Sequence, residues 1–119
     1  MKGKLLFGEK FSKEVKNLAA ELEERGLISG KRLDRSGCLL TLRLVEERWR
    51  PLSQDAKLDL IKSVGNKFSA LRRKEGFSLA TVKFTTEEGV PLGVYDSEHG
   101  IALRIKEGKT PDSVKVIPH

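Results

Sequence analysis

Basic side chains around a tryptophan are the residues of this chain whose types and spacing best suit a chemical role. Arg48 and Arg50 flank Trp49, the single tryptophan. Arginine and lysine neutralise phosphates, which gives salt-dependent affinity that is largely independent of base sequence. An exposed aromatic ring between two cations would also stack a base. Trp49, its two flanking arginines and the nearby cations form one set of candidate nucleic-acid contacts: Arg43, Arg48, Trp49, Arg50, Lys62, Lys67, Arg72, Arg73 and Lys74.

The same basic residues also suit ordinary solvated surfaces. Glu46 and Glu47 dilute the charge beside Arg48, and two aspartates dilute the helix that follows. Cations in the last turn of a helix stabilise it by interacting with the carbonyl groups at its end, so their presence there does not require a ligand. The acidic pair at residues 87–88 argues against a nucleic-acid arm at that turn. Both interpretations stay open at the level of sequence, and for these residues taken by themselves the solvated surface is the favoured one.

The distribution of charge favours the first half of the chain for any polyanion contact. The 119 residues hold 23 basic and 17 acidic side chains, for a net charge of +6. The basic excess lies within residues 1–75, whereas residues 76–119 hold five basic and six acidic side chains. Net charge affects how a protein associates with partners, but it does not indicate the fold. We therefore expect any basic surface to come from the helices and the first long strand.

A second polar cluster spans residues 95–100. His99 with Asp96 or Glu98 suits a general base or a pair of metal ligands. An ordinary turn uses the same residue types for backbone reasons, and this interpretation is favoured. His119 is the other histidine, and Cys38 heads an apolar run where a buried thiol is inert. Phosphate-loop and nucleophile-elbow motifs do not occur, so we predict no catalytic residue, metal or cofactor, and no enzyme.

Two helices follow from the spacing of apolar residues. The first is predicted from an N-cap at Ser12 to about Arg25, with apolar residues recurring every three or four positions. The second begins after Ser53, ends before Gly76, and carries basic residues in its last turn. Gly65 lies in the middle of this second helix, beside its apolar stripe. An interior glycine disfavours a helix, so we expect close packing on a sheet there.

The remaining segments predict strands and loops. Residues 38–45 form the longest apolar run and predict a central strand, whereas residues 29–37 predict a loop. Three short strands follow the second helix, over 77–86, 90–94 and 101–105. Pro91 predicts an edge strand, or the start of one. Residues 5–7 suit a short opening strand and residues 114–117 a short extended piece.

The predicted fold class is α+β. The order is (β)αβαβββ, with two helices packed on one face of a mixed or antiparallel sheet of about four strands. The length suits a single small domain over 1–119, with residues 107–119 as a flexible C-terminal tail.

The predicted function is a non-enzymatic binding module that contacts the backbone of RNA or DNA through a basic helix and strand end. The alternative is a protein-interaction or regulatory module that binds a protein partner or a second copy of itself through an apolar helix face or a strand edge. One cysteine allows no intramolecular disulfide, and the apolar runs are too short to span a bilayer. A cytoplasmic location and no membrane partner are therefore expected.

Overall fold

A six-stranded mixed sheet with helices on one face organises the chain. The computed structural model describes residues 8–104 and 114–119. The strands lie side by side in sequence order, and every neighbouring pair is antiparallel except β2 and β3, which are parallel. The elements are α1 (Glu9–Glu24), β1 (Ile28–Leu33), β2 (Leu39–Leu44), α2 (Glu46–Trp49), α3 (Gln54–Lys74), β3 (Thr81–Thr85), β4 (Pro91–Asp96), β5 (Gly100–Arg104) and β6 (Val114–Ile117).

Helix α1 has the predicted apolar face and begins four residues earlier than predicted, with its N-cap at Gly8 in place of Ser12. The helix contacts α3 and β1. All four predicted face residues are buried: Phe11, Val15, Leu18 and Leu22. The apolar face of α1 is therefore closed by the protein's own core and does not offer a surface to a partner.

Strand β1 corrects the prediction of a loop over 29–37. Residues Ile28–Leu33 pair antiparallel with β2, and the turn between them spans only residues 34–38. Ser29, Lys31 and Arg32 are exposed because β1 lies at the edge of the sheet. An edge strand tolerates polar side chains and glycine. The local composition therefore resembled a loop, and pairing with β2 made it a strand.

The connection from β2 to β3 is the helical crossover that a parallel pair needs. Strand β2 lies inside the sheet, as predicted, and α2 and α3 follow it before the chain enters β3. The Ser53 Oγ atom accepts a hydrogen bond from the Ala56 N–H at 3.1 Å, which confirms the predicted N-cap of α3. Helix α2, a single turn, was not predicted.

Helix α3 lies close to the sheet at Gly65, as predicted. A Cβ atom at this position would stand 2.1 Å from Cγ of Tyr95 on β4. The Tyr95 hydroxyl donates a hydrogen bond to Asn66 Oδ1 at 3.2 Å. The ring therefore packs under the helix backbone in space that any larger residue would occupy.

The sheet is larger than predicted, although the α+β class is confirmed. Pro91 is the first residue of β4, which confirms the alternative that a strand begins there; β4 lies between β3 and β5 and not at an edge. Residues Val114–Ile117 form the edge strand β6, so this part of the predicted tail belongs to the sheet. The predicted opening strand at 5–7 and residues 107–113 of the tail lie outside the described residues. Within the described ranges, no helix is long and apolar enough to cross a membrane.

Replacement of Gly65 by alanine tests this packing. We expect G65A to lower the free energy of unfolding by about 1–3 kcal/mol, because the new methyl group overlaps the Tyr95 ring. Alanine would stabilise an unconstrained helix position, so destabilisation is the opposite of the helix-propensity effect. Urea denaturation followed by Trp49 fluorescence measures the change. The control S63A, at an exposed position of α3, should be neutral or slightly stabilising; equal stability of both variants would contradict the close packing.

Candidate binding face of the sheet

The two faces of the sheet have different surroundings. Side chains alternate between faces along a strand. Leu40, Leu42 and Leu44 on β2 are fully buried in the core shared with the helices. Thr41 and Arg43 therefore point to the opposite face, which we call the open face.

The strand register extends this face across the whole sheet. Residues opposite one another on neighbouring strands point to the same side. Starting from Thr41, the pairing defines one continuous row over all six strands: Arg32, Thr41, Lys83, Val94, Ala102 and Val116. Arg43 lies two residues along β2 from Thr41 and so belongs to the same face.

Three cations surround Thr41 on this face. Arg32 and Lys83 lie directly across from it on β1 and β3, and Arg43 follows it on β2. We call Arg32, Arg43 and Lys83 the basic cluster. All three are exposed, and among the described residues none forms a hydrogen bond or an ion pair with their side chains. The basic cluster is therefore available to an anion from outside.

Gly30 makes room for one of these cations. A Cβ atom at Gly30 would lie 3.6 Å from Cζ of Arg43, so the guanidinium group extends over the backbone of β1. Gly30 and Arg32 lie two residues apart on the same strand. The Arg43 head group is thereby directed toward the strand that carries Arg32, which concentrates positive charge along this edge.

The basic cluster lines a groove of about 350 Å³ that also has an acidic wall. Glu87 and Glu88, in the turn between β3 and β4, form that wall. Lys31 lines the groove as well, but its Nζ atom lies 2.5 Å from Glu23 Oε1 of α1. The unpaired positive charge of the groove therefore resides on the basic cluster.

Trp49 is buried in the core, whereas the predicted stacking on a base needs an exposed ring. Its ring is 3% exposed and stacks on Phe84, with 6.4 Å between ring centroids and 14° between planes. The Nζ atom of Lys57 lies 5.4 Å from its centroid. Since residues 46–49 form a helical turn after β2, the chain folds back and carries Trp49 into the core.

Arg72 is likewise a structural residue and not a surface cation. Its side chain is buried, with 4% of the residue exposed. Nε donates to the Leu79 carbonyl at 2.9 Å, and Nη1 donates to the Ser36 carbonyl at 3.3 Å. Its guanidinium carbon lies 4.4 Å from the Phe77 ring centroid. Arg72 joins the end of α3 to the β1–β2 turn and to the segment before β3.

The other predicted contacts are exposed but lie on different elements. Four are on α3, which packs on the opposite side of the sheet from Arg43: Lys62, Lys67, Arg73 and Lys74. Arg48 is on α2, and Arg50 is the C-cap residue of that helix. Glu21 lies 4.0 Å from Lys67 Nζ, and Glu46 lies 3.3 Å from Arg50 Nη2. The structure therefore brings Arg43 together with Arg32 and Lys83, which were not predicted, and separates it from the helical cations.

A signal for one of the missed residues was present in the sequence. Lys83 lies between Val82 and Phe84 in a segment predicted as a strand, so its placement opposite the core follows from alternation. Arg32 carried no such signal, because its segment was interpreted as a loop. Its position beside Thr41 depends on the pairing of β1 with β2.

The polar cluster around Asp96 is a structured turn between β4 and β5. Asp96 Oδ1 accepts hydrogen bonds from the backbone N–H groups of Glu98 and His99, at 2.8 and 3.2 Å. Partial burial opposes ionisation of the carboxyl group, but these hydrogen bonds and the nearby His99 ring outweigh it and lower the pKa of Asp96. His99 Nδ1 lies 3.3 Å from Asp96 Oδ1, and the His99 side chain is 80% exposed. These contacts suit a turn, as the favoured interpretation expected.

Cys38 also belongs to a turn. Its Sγ atom lies 2.7 Å from Ser36 Oγ, which donates to Asp34 Oδ2 at 2.7 Å. Asp34 Oδ1 accepts the Leu39 backbone N–H at 3.1 Å. This chain of contacts closes the β1–β2 hairpin. Among the described residues, no group of three or more His, Cys, Asp or Glu side chains is arranged to hold a metal ion.

Fold and site together define the class: an α+β protein whose mixed sheet is covered by helices on one face and carries a basic cluster on the other. Comparisons of the chain with protein-family models, with curated proteins and with solved structures found no match. The interpretation of the open face therefore depends on its own chemistry.

Substitution of Arg72 separates its structural role from a role in binding. We expect R72M to lower the free energy of unfolding by about 1–3 kcal/mol, since two carbonyl groups lose their donor in a partly buried region. R73M, at an exposed neighbouring position, should change it by less than about 0.5 kcal/mol. Urea denaturation of both variants provides the measurement. A stable R72M protein would contradict the structural role.

The lowered pKa of Asp96 predicts a pH-dependent contribution to stability. The ionised carboxylate stabilises the folded state at pH values above the unfolded pKa of about 3.8. That contribution is lost as pH falls through the lower pKa of the folded state. D96N should therefore be less stable than the unaltered protein at pH 7, and the difference should shrink as the pH is lowered from 4 toward 2. The control E98Q keeps the backbone donor and should show no such difference; a D96N effect that is the same at pH 7 and pH 2 would contradict the prediction.

Proposed function

We propose that this protein binds nucleic acid through contacts between the basic cluster and backbone phosphates. The observation that carries the proposal is the set of three unpaired cations on three neighbouring strands, all lining one groove. Cations already paired with carboxylates would lose those partners on binding a phosphate. Within residues 8–104 and 114–119, Arg32, Arg43 and Lys83 have no such partners to lose.

The shape of this surface favours a chain of phosphates over a single anion. Neighbouring strands lie about 4.8 Å apart, so Arg32 and Lys83 extend from backbones roughly 10 Å apart. Their long side chains sweep a wider area, and Arg43 adds a third position along β2. A polyanion can contact several of these cations at once and release counterions from each contact.

The acidic wall restricts where the polyanion can lie. Glu87 and Glu88 repel phosphates at the β3–β4 turn. The favourable path therefore runs over β1, β2 and β3 and away from that turn. Helix α3 offers cations too, but Lys67 faces Glu21, and Lys74 lines a second groove together with Glu9, Glu14 and Glu75. The open face consequently supports the proposal better than the helix does.

A protein-interaction role remains as the second candidate, and one observation favours it. Strands β1 and β6 end the sheet on either side within the described residues, so both present edges to which another strand can be added. Val116 on β6 is 63% exposed. The apolar face of α1, the other route to a partner, is buried and no longer supports this candidate.

Affinity for a generic oligonucleotide tests the proposed function. We expect binding at low salt, with log K falling against log salt with a slope of about −2 to −3, as three phosphate contacts require. The triple variant R32A/R43A/K83A should lose most of this affinity and bring the slope close to zero. Fluorescence polarisation with a labelled oligonucleotide across a salt series measures both quantities.

A charge-matched variant provides the control. K62A/R73A/K74A removes three exposed cations from α3 and leaves the same net charge as the first variant. We expect it to retain the salt slope and most of the affinity. Loss of binding in this variant alone would move the site to the helix, and undetectable binding by the unaltered protein would refute the proposed function.

A further inference from the structure

The row of residues that contains the basic cluster continues into an apolar surface. Beyond Lys83, the same cross-strand row holds Val94, Ala102 and Val116 on β4, β5 and β6. We call these three the apolar half of the open face. Val94 and Ala102 are half-buried, and Val116 is 63% exposed. The open face therefore changes from charged to apolar along a single line.

The separation of the two halves matches the dimensions of a nucleotide. Lys83 and Ala102 lie two strands apart, which is roughly 10 Å. A nucleotide has a charged phosphate at one side and the flat apolar face of a base at the other. With its phosphates on the basic cluster, a strand on this surface would place its bases over the apolar half.

Base pairing decides which nucleic acids can use both halves. In a duplex the base faces are stacked inside the helix, and only base edges and the backbone are accessible. An unpaired strand exposes its base faces and can pack them on protein side chains. From this complementarity we infer that the open face selects single-stranded nucleic acid over duplex. This inference rests on the proposed function.

Other occupants fit the open face less well. Recognition of an anionic membrane surface uses clusters of about four to eight basic residues, whereas the basic cluster has three. A stable dimer buries about 1,200–2,000 Å² in total. The apolar half consists of two valines and one alanine, which is a small area for that purpose.

The test compares a mixed-sequence single strand with its own duplex by fluorescence polarisation at one low salt concentration. We expect tighter binding of the single strand. V116F places an aromatic ring on the apolar half and should raise single-strand affinity by about fivefold or more, in line with the strength of base–aromatic stacking. Duplex affinity should not change.

V90F is the matched control. Val90 is 44% exposed and precedes β4, beside the acidic turn and outside the row. V90F should leave both affinities unchanged, and urea denaturation would show that both variants are folded. If single strand and duplex bind equally and V116F has no selective effect, the inference is overturned while the proposed function stands. If neither oligonucleotide binds, or only anionic vesicles are bound, both are overturned.

Discussion

The close approach of α3 to the sheet is the contact on which the rest of the structure depends. Tyr95 occupies the space beside Gly65 that any side chain would fill, so the ring of Tyr95 packs directly against the backbone of α3. This packing buries Val82 and Phe84 of β3 at zero exposure and Tyr95 of β4 at 4%. Because the crossover between parallel strands ends there, the same contact determines which face of the whole sheet is covered.

Arg72 extends this constraint to the first hairpin. It lies at the end of α3 and donates to carbonyl groups before β3 and in the β1–β2 turn. A guanidinium group has several donors in a fixed plane, so one side chain can hold two segments that lack strand partners there. The edge strand β1 is thereby held beside β2, and β1 brings Arg32 to the open face. The buried Arg72 thus helps to hold the strand that carries the exposed Arg32.

The open face follows from the closure of the opposite face. The helices and Trp49 pack on one side of the sheet. Because successive side chains of a strand point to opposite faces, the alternate side chains point to the other side. This separates Arg43 from the basic residues of α3, although they are close in sequence. The cations that share the open face with Arg43 are Arg32 and Lys83, which lie before and after it in the chain.

Much of the fold could be predicted because the signals were local. The N-cap at Ser53, the apolar stripe of α3, the tight packing at Gly65 and the central position of β2 each follow from a few neighbouring residues. The burial of two candidate site residues could not be predicted, for the complementary reason. Burial of Trp49 and Arg72 depends on contacts with Phe84, Ser36 and Leu79, which lie from 7 to 36 positions away from them in the chain.

The sequence by itself determined the α+β class, the two long helices, the faces on which their apolar residues lie and the excess of positive charge. Tertiary structure alone decided that residues 28–33 form a strand, that the sheet has six strands, and which cations share a surface. The physical reason is that helices are stabilised by hydrogen bonds within one segment, whereas a strand exists only through bonds to another. A binding face built across strands therefore depends on a register that no single segment encodes.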